Sequence, residues 1–393
     1  MLDQELEITI TDVAFGGAGV ARHNGQVLFV PHTLPAERVR VRVRAAHPRY
    51  LEAELLEVLD PAADRQEPVC RWFGRCGGCC YQHVSAGGQA ALKHGQVVAA
   101  LERIGRCAAP PVSALVPAPQ PFGYRNKITL HGPGRPGFLA RDGRTRLPVA
   151  DCPLARPPVN ACLAELLAVD FTTAGDLVVR AAREGAPWWY QNPAAPADPP
   201  VSNYTESFGG CEIEQPGRGF AQVNPAQADA LLAQWRSAAA AAPPACWIDP
   251  YAGAGFPSLL CAGPETELRL AELEPEAWAC ARRNARRLGR RLARATAAGS
   301  AERLLPRLLD GAPPAQTLVV LDPPRAGCSA SVLKTLIKHR PGRIWYLSCN
   351  PPCFARDLRA LSAAGYRLTR ATPFDFFPQT AHIEIWAELI AAG

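Results

Sequence analysis

From residue 246 onward the chain repeats one pattern: a short unbroken apolar run, a turn, a helical segment, then another apolar run. The runs are Cys246-Trp247-Ile248, Leu268-Arg269-Leu270-Ala271, Thr317-Leu318-Val319-Val320-Leu321, Arg343-Ile344-Trp345-Tyr346-Leu347 and Ile383-Glu384-Ile385-Trp386. Strands covered on both faces read as continuous apolar runs, and parallel strands need a crossover segment between them. This pattern predicts a doubly wound α/β domain over residues 216–393. In such a sheet, ligands bind outside the carboxyl ends of the strands.

Polar motifs fall at those ends. Asp249-Pro250-Tyr251-Ala252-Gly253-Ala254-Gly255 follows the first strand. Glycines at a strand-to-helix turn let a nucleoside lie against the backbone. Glu272 ends the second strand, nineteen residues after Gly253, where an acid can accept hydrogen bonds from ribose hydroxyls. Leu321-Asp322-Pro323-Pro324-Arg325-Ala326-Gly327 ends the third strand and Leu347-Ser348-Cys349-Asn350-Pro351 the fourth. Asp249, Glu272, Asp322 and Cys349 are therefore expected to face one crevice. In Pro378-Gln379-Thr380-Ala381-His382-Ile383-Glu384, His382 and Glu384 share one strand face while Ile383 and Ile385 take the other. Read alone, that alternation is more often a surface strand. Cys353 lies beyond the strand end, and Cys246 and Cys261 sit in apolar context as core.

The first 60 residues read as short strands separated by turn signals such as Gly16-Gly17-Ala18-Gly19 and Asn24-Gly25. Arg38-Val39-Arg40-Val41-Arg42-Val43-Arg44 alternates strictly, with Val on one face and Arg on the other. A small β-barrel over residues 1–60 is expected, with a basic stripe of the kind that tracks a phosphate backbone. The competing reading of the stripe is an ordinary solvated strand face.

Residues 61–215 carry cysteines and then an irregular stretch with Pro193, Pro196, Pro199 and Pro200. Cys70 stands six residues before Cys76-Gly77-Gly78-Cys79, and Cys152 follows in Asp151-Cys152-Pro153-Leu154. Glycines let the backbone curl so that the thiols converge. Four thiolates are the ligand set of a [4Fe–4S] cluster or of zinc. Cys80, adjacent to Cys79, is expected to point elsewhere.

No apolar run approaches the roughly 20 residues of a membrane helix, and Met1-Leu2-Asp3-Gln4-Glu5 is acidic where a signal peptide is basic. A cytoplasmic protein with no membrane partner is expected, whose fourteen cysteines serve as thiols, ligands or catalysts rather than disulfides. The net charge of +6 hints at an acidic partner. That hint is weak, because the basic residues include only four Lys and the Arg excess follows the bias of a GC-rich genome. The basic segment Arg282–Arg291 is read equally well as a phosphate contact or as a solvated helix face.

Taken together, these residues resemble the RNA uridine C5-methyltransferase family along nearly the whole chain. The N-terminal barrel is similar to a TRAM domain, and Gln82-His83, Tyr124-Arg125-Asn126-Lys127 and Phe220-Ala221-Gln222-Val223-Asn224-Pro225-Ala226-Gln227 are similar to further family motifs. The resemblance implies a class I, Rossmann-like domain that binds S-adenosylmethionine through Gln222, Tyr251, Gly253, Gly255, Glu272, Ser300 and Asp322. It implies Cys349 as nucleophile, Glu384 as base, Phe220 stacked on the target base and His382 in substrate contact. It implies a [4Fe–4S] cluster on Cys70, Cys76, Cys79 and Cys152 in a central domain. The implied partner is RNA, with ribosomal RNA favoured over transfer RNA, acted on by a monomer to give 5-methyluridine. Phe256 stands where members often carry a polar residue such as Asn, and Ser300 where Asp or Asn usually meets the adenine. A non-catalytic RNA-binding or RNA-folding protein on the same scaffold is the competing reading, and the intact Cys349 and Glu384 speak against it. The Ser-Cys-Asn-Pro context and the late Glu384 favour uridine over cytosine.

Overall fold

A computed structural model describes residues 2–171, 175–192 and 201–392. Pro193, Pro196, Pro199 and Pro200 lie outside the described residues. The N-terminal strands are β1 (Glu5–Thr9), β2 (Asp12–Val13), β3 (Ala18–His23), β4 (Gln26–Pro31), β5 (Arg38–Ala46) and β6 (Tyr50–Asp60). They hydrogen-bond in the order β1-β5-β6-β4-β3-β2. β1 and β2 are the two outer strands, yet only Ile10-Thr11 separates them in sequence, so the sheet has to curl until its edges meet. Ile8, Ile10, Leu28, Val30, Val39, Val41 and Val43 fill the interior of this barrel.

The alternation of β5 behaves as predicted, but the basic stripe is not a free cationic surface. Register places Glu5 opposite Arg42 and Glu7 opposite Arg40 on β1, and Glu54 and Glu57 opposite Arg42 and Arg40 on β6. Arg38 pairs with Glu7 at 3.0 Å and Asp60 at 2.7 Å. Arg40 pairs with Glu57. Arg42 meets Glu5 at 2.7 Å, and Arg44 meets Asp3 at 2.9 Å and Glu54 at 2.6 Å. The period of two that gathers the arginines on one face also gathers the acids of both neighbouring strands there. The stripe is a cross-strand lattice in which every Arg has a carboxylate partner.

The middle of the chain contains α1 (Ala86–Arg103), β7 (Lys127–His131), β8 (Phe138–Leu139), β9 (Arg146–Leu147), α2 (Pro157–Leu166), β10 (Asp176–Arg180), β11 (Trp188–Asn192), β12 (Tyr204–Phe208) and β13 (Cys211–Gln215). β11-β10-β7 form an antiparallel sheet whose apolar face packs on α2 through Ile128, Leu130, Val159, Leu163, Leu177 and Val179. The sequence-based span of 61–215 does not pack as one body. Val97 and Leu101 of α1 enter the core of the C-terminal sheet, and so do Phe208 and Ile213 of the β12–β13 hairpin.

The C-terminal elements are α3 (Pro225–Ala241), β14 (Cys246–Asp249), α4 (Ser258–Cys261), β15 (Glu267–Glu272), α5 (Pro275–Arg287), β16 (Ala297–Ala298), α6 (Ala301–Leu309), β17 (Thr317–Leu321), α7 (Ala330–His339), β18 (Arg343–Ser348), α8 (Pro351–Ala363), β19 (Tyr366–Phe374) and β20 (Glu384–Ala391). The sheet runs β16-β15-β14-β17-β18-β20-β19. The first five strands are parallel, and β20 is antiparallel to both its neighbours. The chain winds outward from β14 to β16, then returns to β17 on the other side, which makes the β14/β17 boundary the switch point where a crevice opens. One face of the sheet is sealed by tryptophans: the Trp345 ring lies 5.2, 5.4 and 5.3 Å from Trp235, Trp247 and Trp386. The other buries Ile248, Val319, Leu321, Ile344 and Ile385 under the helices. Among the described residues no helix is long and apolar enough to cross a membrane.

Candidate active site

β14 hands its last residue, Asp249, to a tight turn. Asp249 Oδ1 accepts from the Tyr251 N–H at 2.9 Å, and the Ser258 hydroxyl donates to Oδ2 at 2.5 Å. Gly253 and Gly255 have φ of +54° and +97°. A Cβ on Gly255 would lie 2.3 Å from the Leu259 side chain, so this turn requires glycine. The Gly253 N–H donates to Glu272 Oε2 at 2.8 Å, which ties the glycine turn to the end of the next strand. Tyr251, Glu272 and Ser300 line a cleft of about 810 Å³ together with Leu273, Glu302 and Gly327. Hydrogen bonds from its own N–H and from Ser300 and Ser329 hold the Glu302 carboxyl below the usual carboxylate range.

Asp322 follows the last residue of β17 and does not itself line this cleft. Burial, and then the charges of Asp249 and Glu272, push its carboxyl up to about 7. Asp249 is likewise pushed up to about 7, by burial first and Glu272 in part. Three carboxyls gathered at adjacent strand ends make a site that favours a cation.

Beyond Asp322 stand Cys349 and Glu384. β18 and β20 pair antiparallel as far as Ser348 opposite Ile385, and Cys349 and Glu384 are the next residues beyond that pair. Burial, then Glu384 and Asp322, push the Cys349 thiol up to about 11. Burial, then Asp322, hold the Glu384 carboxyl well above the carboxylate range. The Arg325 guanidinium pulls both back down. His382 lies just before β20, edge-on to Phe377 with ring centroids 5.6 Å apart. Burial and then the positive charges of Arg325, Arg125 and Lys93 push it down to about 4, so it is neutral at neutral pH. Ile383 and Ile385 are buried in the core, while β20 begins only at Glu384, so His382 precedes the strand rather than lying on it.

Cys70, Cys76, Cys79 and Cys152 line one cavity of about 380 Å³, with Phe220, Arg125, Arg325 and Phe377 also on its wall. Burial pushes the Cys79 thiol up to about 12, with further contributions from Cys152 and Cys76. Among the described residues, however, no group of three or more His, Cys, Asp or Glu side chains is gathered closely enough to hold a single metal ion. Cys80 is turned away, against Gly17 of the barrel.

Two relatives span almost the whole chain. An uncharacterised RNA methyltransferase of Bdellovibrio bacteriovorus is 32% identical over 403 residues, covering 99% of this chain and 96% of its own. One from Synechocystis is 30% identical over 442 residues, covering 96% and 94%. Residues 1–56 match the TRAM domain, and residues 302–391 match the tRNA (uracil-5-)-methyltransferase family. The chain belongs to the RNA uridine C5-methyltransferase family. In fold it is similar to the Pyrococcus abyssi tRNA (uracil-54, C5)-methyltransferase in complex with S-adenosyl-L-homocysteine, with a TM-score of 0.74 at 22% identity, covering 98% and 99% of the two chains.

Within this member of the family the remaining expected residues are spread unevenly. Phe220 is 72% exposed and stands on the wall of the cysteine cavity. Gln222 is not among the residues lining the 810 Å³ cleft; its carbonyl accepts from Asn126 Nδ2 at 3.0 Å. Phe256 packs on Phe208, ring centroids 4.4 Å apart, and does not line the cleft either. Sequence reasoning did not single out Arg325 or assign a role to Asn350. Asn350 caps α8 through its side-chain oxygen, and its Nδ2 donates to the Arg325 carbonyl at 3.0 Å. The residue after Cys349 thus holds the loop that carries Arg325. An Asn immediately before Pro-Pro is a helix-start signal, and it could have been read as a cap. The contact to Arg325 depends on β17 and β18 being adjacent.

Proposed function

We propose that this protein transfers a methyl group from S-adenosylmethionine to carbon 5 of a uridine in RNA through a covalent Cys349 adduct. The observation that carries this reading is the juxtaposition of Cys349 and Glu384 beside the carboxyl cluster of the crevice.

The cleft volume lies within the roughly 300–1,000 Å³ of small-molecule sites, and its residues fit the cofactor. Tyr251, Glu272 and Ser300 stand on the wall, where Glu272 would accept from ribose hydroxyls, and Asp249 and Asp322, which do not line the cleft but couple to Glu272, would complement a positive charge. Bound there, the cofactor supplies an electrophilic methyl group. Cys349 must first lose its proton, because only a thiolate adds readily. Its addition to carbon 6 breaks the ring double bond and places negative charge at carbon 5 and the adjoining carbonyl. After carbon 5 has been methylated it still holds its proton. Glu384 takes that proton, the pair of electrons re-forms the carbon 5–carbon 6 double bond, and the carbon–sulfur pair returns to Cys349. A carboxyl raised above the usual range is a stronger base and suits this task better than an ordinary glutamate. The exposed Phe220 ring offers a face on which an unstacked uracil rests, and neutral His382 a hydrogen-bonding group beside it.

The four thiols fit a [4Fe–4S] cluster better than zinc. A single tetrahedral ion needs every sulfur at about 2.3 Å, whereas these thiols border one larger cavity. Phe220 and Arg325 share that cavity, so the cluster would support the floor beneath the target base. The resemblance favours ribosomal RNA, while the names of the matching family and of the similar Pyrococcus enzyme specify transfer RNA. Mass spectrometry of nucleosides from both RNA classes of a strain lacking the gene decides between them. Loss of 5-methyluridine from ribosomal RNA is expected, and unchanged 5-methyluridine in both classes would overturn the assignment.

A further inference from the structure

Helix α1 carries a polar stripe on a buried face. Gln89, Lys93 and Gln96 are spaced i, i+4 and i+7, so they stand on one side of the helix. Gln89 and Gln96 are buried, and Lys93 is 0% exposed. Buried polar groups without partners are costly, so where these side chains find partners shows what the helix holds. Gln96 donates to the carbonyls of Val13 and Ala14 in the barrel, both at 3.2 Å. The other two reach the segment 375–382 that leads into β20. Lys93 Nζ donates to Asp375 Oδ1 at 2.7 Å and to the Phe377 carbonyl at 3.1 Å.

Gln89 and Gln379 exchange two hydrogen bonds. The Gln379 N–H donates to Gln89 Oε1, and Gln89 Nε2 donates to Gln379 Oε1, each at 3.0 Å. Gln379 has φ of +69°, a left-handed conformation uncommon outside glycine. The Gln89 exchange keeps it there, together with the Cys80 and Tyr81 N–H groups, which both donate to the Gln379 carbonyl at 3.0 Å. The Tyr124 hydroxyl donates to the Pro378 carbonyl at 3.0 Å. Next in the chain, Thr380 Oγ1 donates to the Phe377 carbonyl at 2.8 Å and accepts from the His382 N–H at 3.2 Å. Glu384 follows two residues later. On the β18 side the ladder ends at Ile385, so Glu384 is the first residue of β20 that this ladder does not fix. On the β19 side Glu384 pairs with Phe374, so the segment 375–383 joins the two members of that last pair and bears on how the Glu384 carboxyl is set.

We propose that Gln89 and Lys93 are positioning residues for Glu384, setting the path of 375–382 so that its carboxyl meets carbon 5 of the adduct. The proposal rests on the assignment of Glu384 as the base. Gln89→Leu preserves size and removes both ends of the exchange. With labelled methyl donor and substrate RNA, kcat should fall by about tenfold or more, a fraction of what a general base contributes. KM for RNA and the affinity for S-adenosylhomocysteine should stay within about twofold, since neither touches Gln89. Because elimination slows while addition and methylation do not, methylated RNA bound covalently to protein should accumulate during turnover and be seen on a denaturing gel. A purely structural role would lower turnover without raising the adduct fraction, and that result, or unchanged turnover, overturns the proposal. Should Gln89→Leu fail to fold, Gln379→Gly keeps the left-handed backbone while deleting the side chain, and the same readouts apply. Glu384→Gln run in parallel separates the failures. If it traps adduct and the clamp variant does not, the clamp is wrong; if neither does, the base assignment falls and this proposal with it.

Discussion

Cys349 and Glu384 lie just beyond the last pair of the antiparallel β18–β20 ladder, Ser348 opposite Ile385, close enough for the Glu384 charge to act on the Cys349 thiol. The ladder thus brings to one strand end two residues that are 35 positions apart in sequence. If the two act at successive steps, their variants should fail differently. Cys349→Ala should give neither product nor adduct. Glu384→Gln should permit addition and methylation but slow release by roughly 10²–10⁴-fold, the usual contribution of a general base, leaving labelled RNA attached to the protein. Normal turnover by Glu384→Gln, or no adduct with a competent RNA, would show that another group removes the carbon 5 proton.

Both groups must be deprotonated to act, and both are pushed upward by burial and by neighbouring acids. The value of kcat/KM should therefore rise as the pH is taken from about 6 to about 9, as the reactive forms of free enzyme become populated. Arg325 lowers both groups. Arg325→Met should move the rising limb to higher pH, with about a tenfold loss at neutral pH for each unit of displacement. A variant with lower activity but an unmoved limb would show that Arg325 acts on RNA binding alone.

Asp249 and Asp322, each pushed up to about 7, are partly protonated at neutral pH. A cation binds their ionised forms better, so the affinity for S-adenosylmethionine should rise between pH 6 and 8, with proton release near pH 7. S-adenosylhomocysteine lacks the sulfonium charge and should show a smaller rise. Calorimetry in two buffers of different ionisation enthalpy measures both. Equal pH dependence for the two ligands would place the sulfonium away from these acids.

Metal analysis of protein purified without oxygen should find iron and sulfide together, and a brown colour lost on exposure to air. Cys79→Ser should abolish the colour, whereas Cys80→Ser should not, since Cys80 faces the barrel and not the cavity. Stoichiometric zinc without iron would overturn the cluster.

The C-terminal strands were legible because parallel strands covered on both faces have nothing but apolar residues to offer, and the crevice acids followed from standing at their ends. β19 was not legible: Tyr366-Arg-Leu-Thr-Arg-Ala-Thr-Pro-Phe374 mixes charges with a Pro, which an edge strand tolerates and a central one does not. The α1 stripe was hidden for a different reason. A Gln and a Lys four residues apart carry no signal of burial, and only the fold turns Gln89 and Lys93 toward Gln379 and Asp375. Arg325 was named as part of a motif, yet its effect on Cys349 comes from two strands being neighbours.

The Arg38–Arg44 stripe marks the limit of reading one strand at a time. Alternation placed the arginines on one face correctly, but Asp3, Glu5, Glu7, Glu54, Glu57 and Asp60 share that face and pair with them. A surface already supplied with carboxylates offers little net charge to a phosphate backbone and releases few counterions when RNA approaches. Replacing Arg38, Arg40, Arg42 and Arg44 together by Gln should therefore leave the slope of RNA affinity against salt nearly unchanged. The barrel should instead lose thermal stability, because the acids of β1 and β6 are left facing one another without counter-charge. RNA titrations across a salt series, with melting curves of the same variant, test both parts. A slope that flattens by several counterions would mean that RNA displaces the acids from the arginines and that the lattice opens on binding.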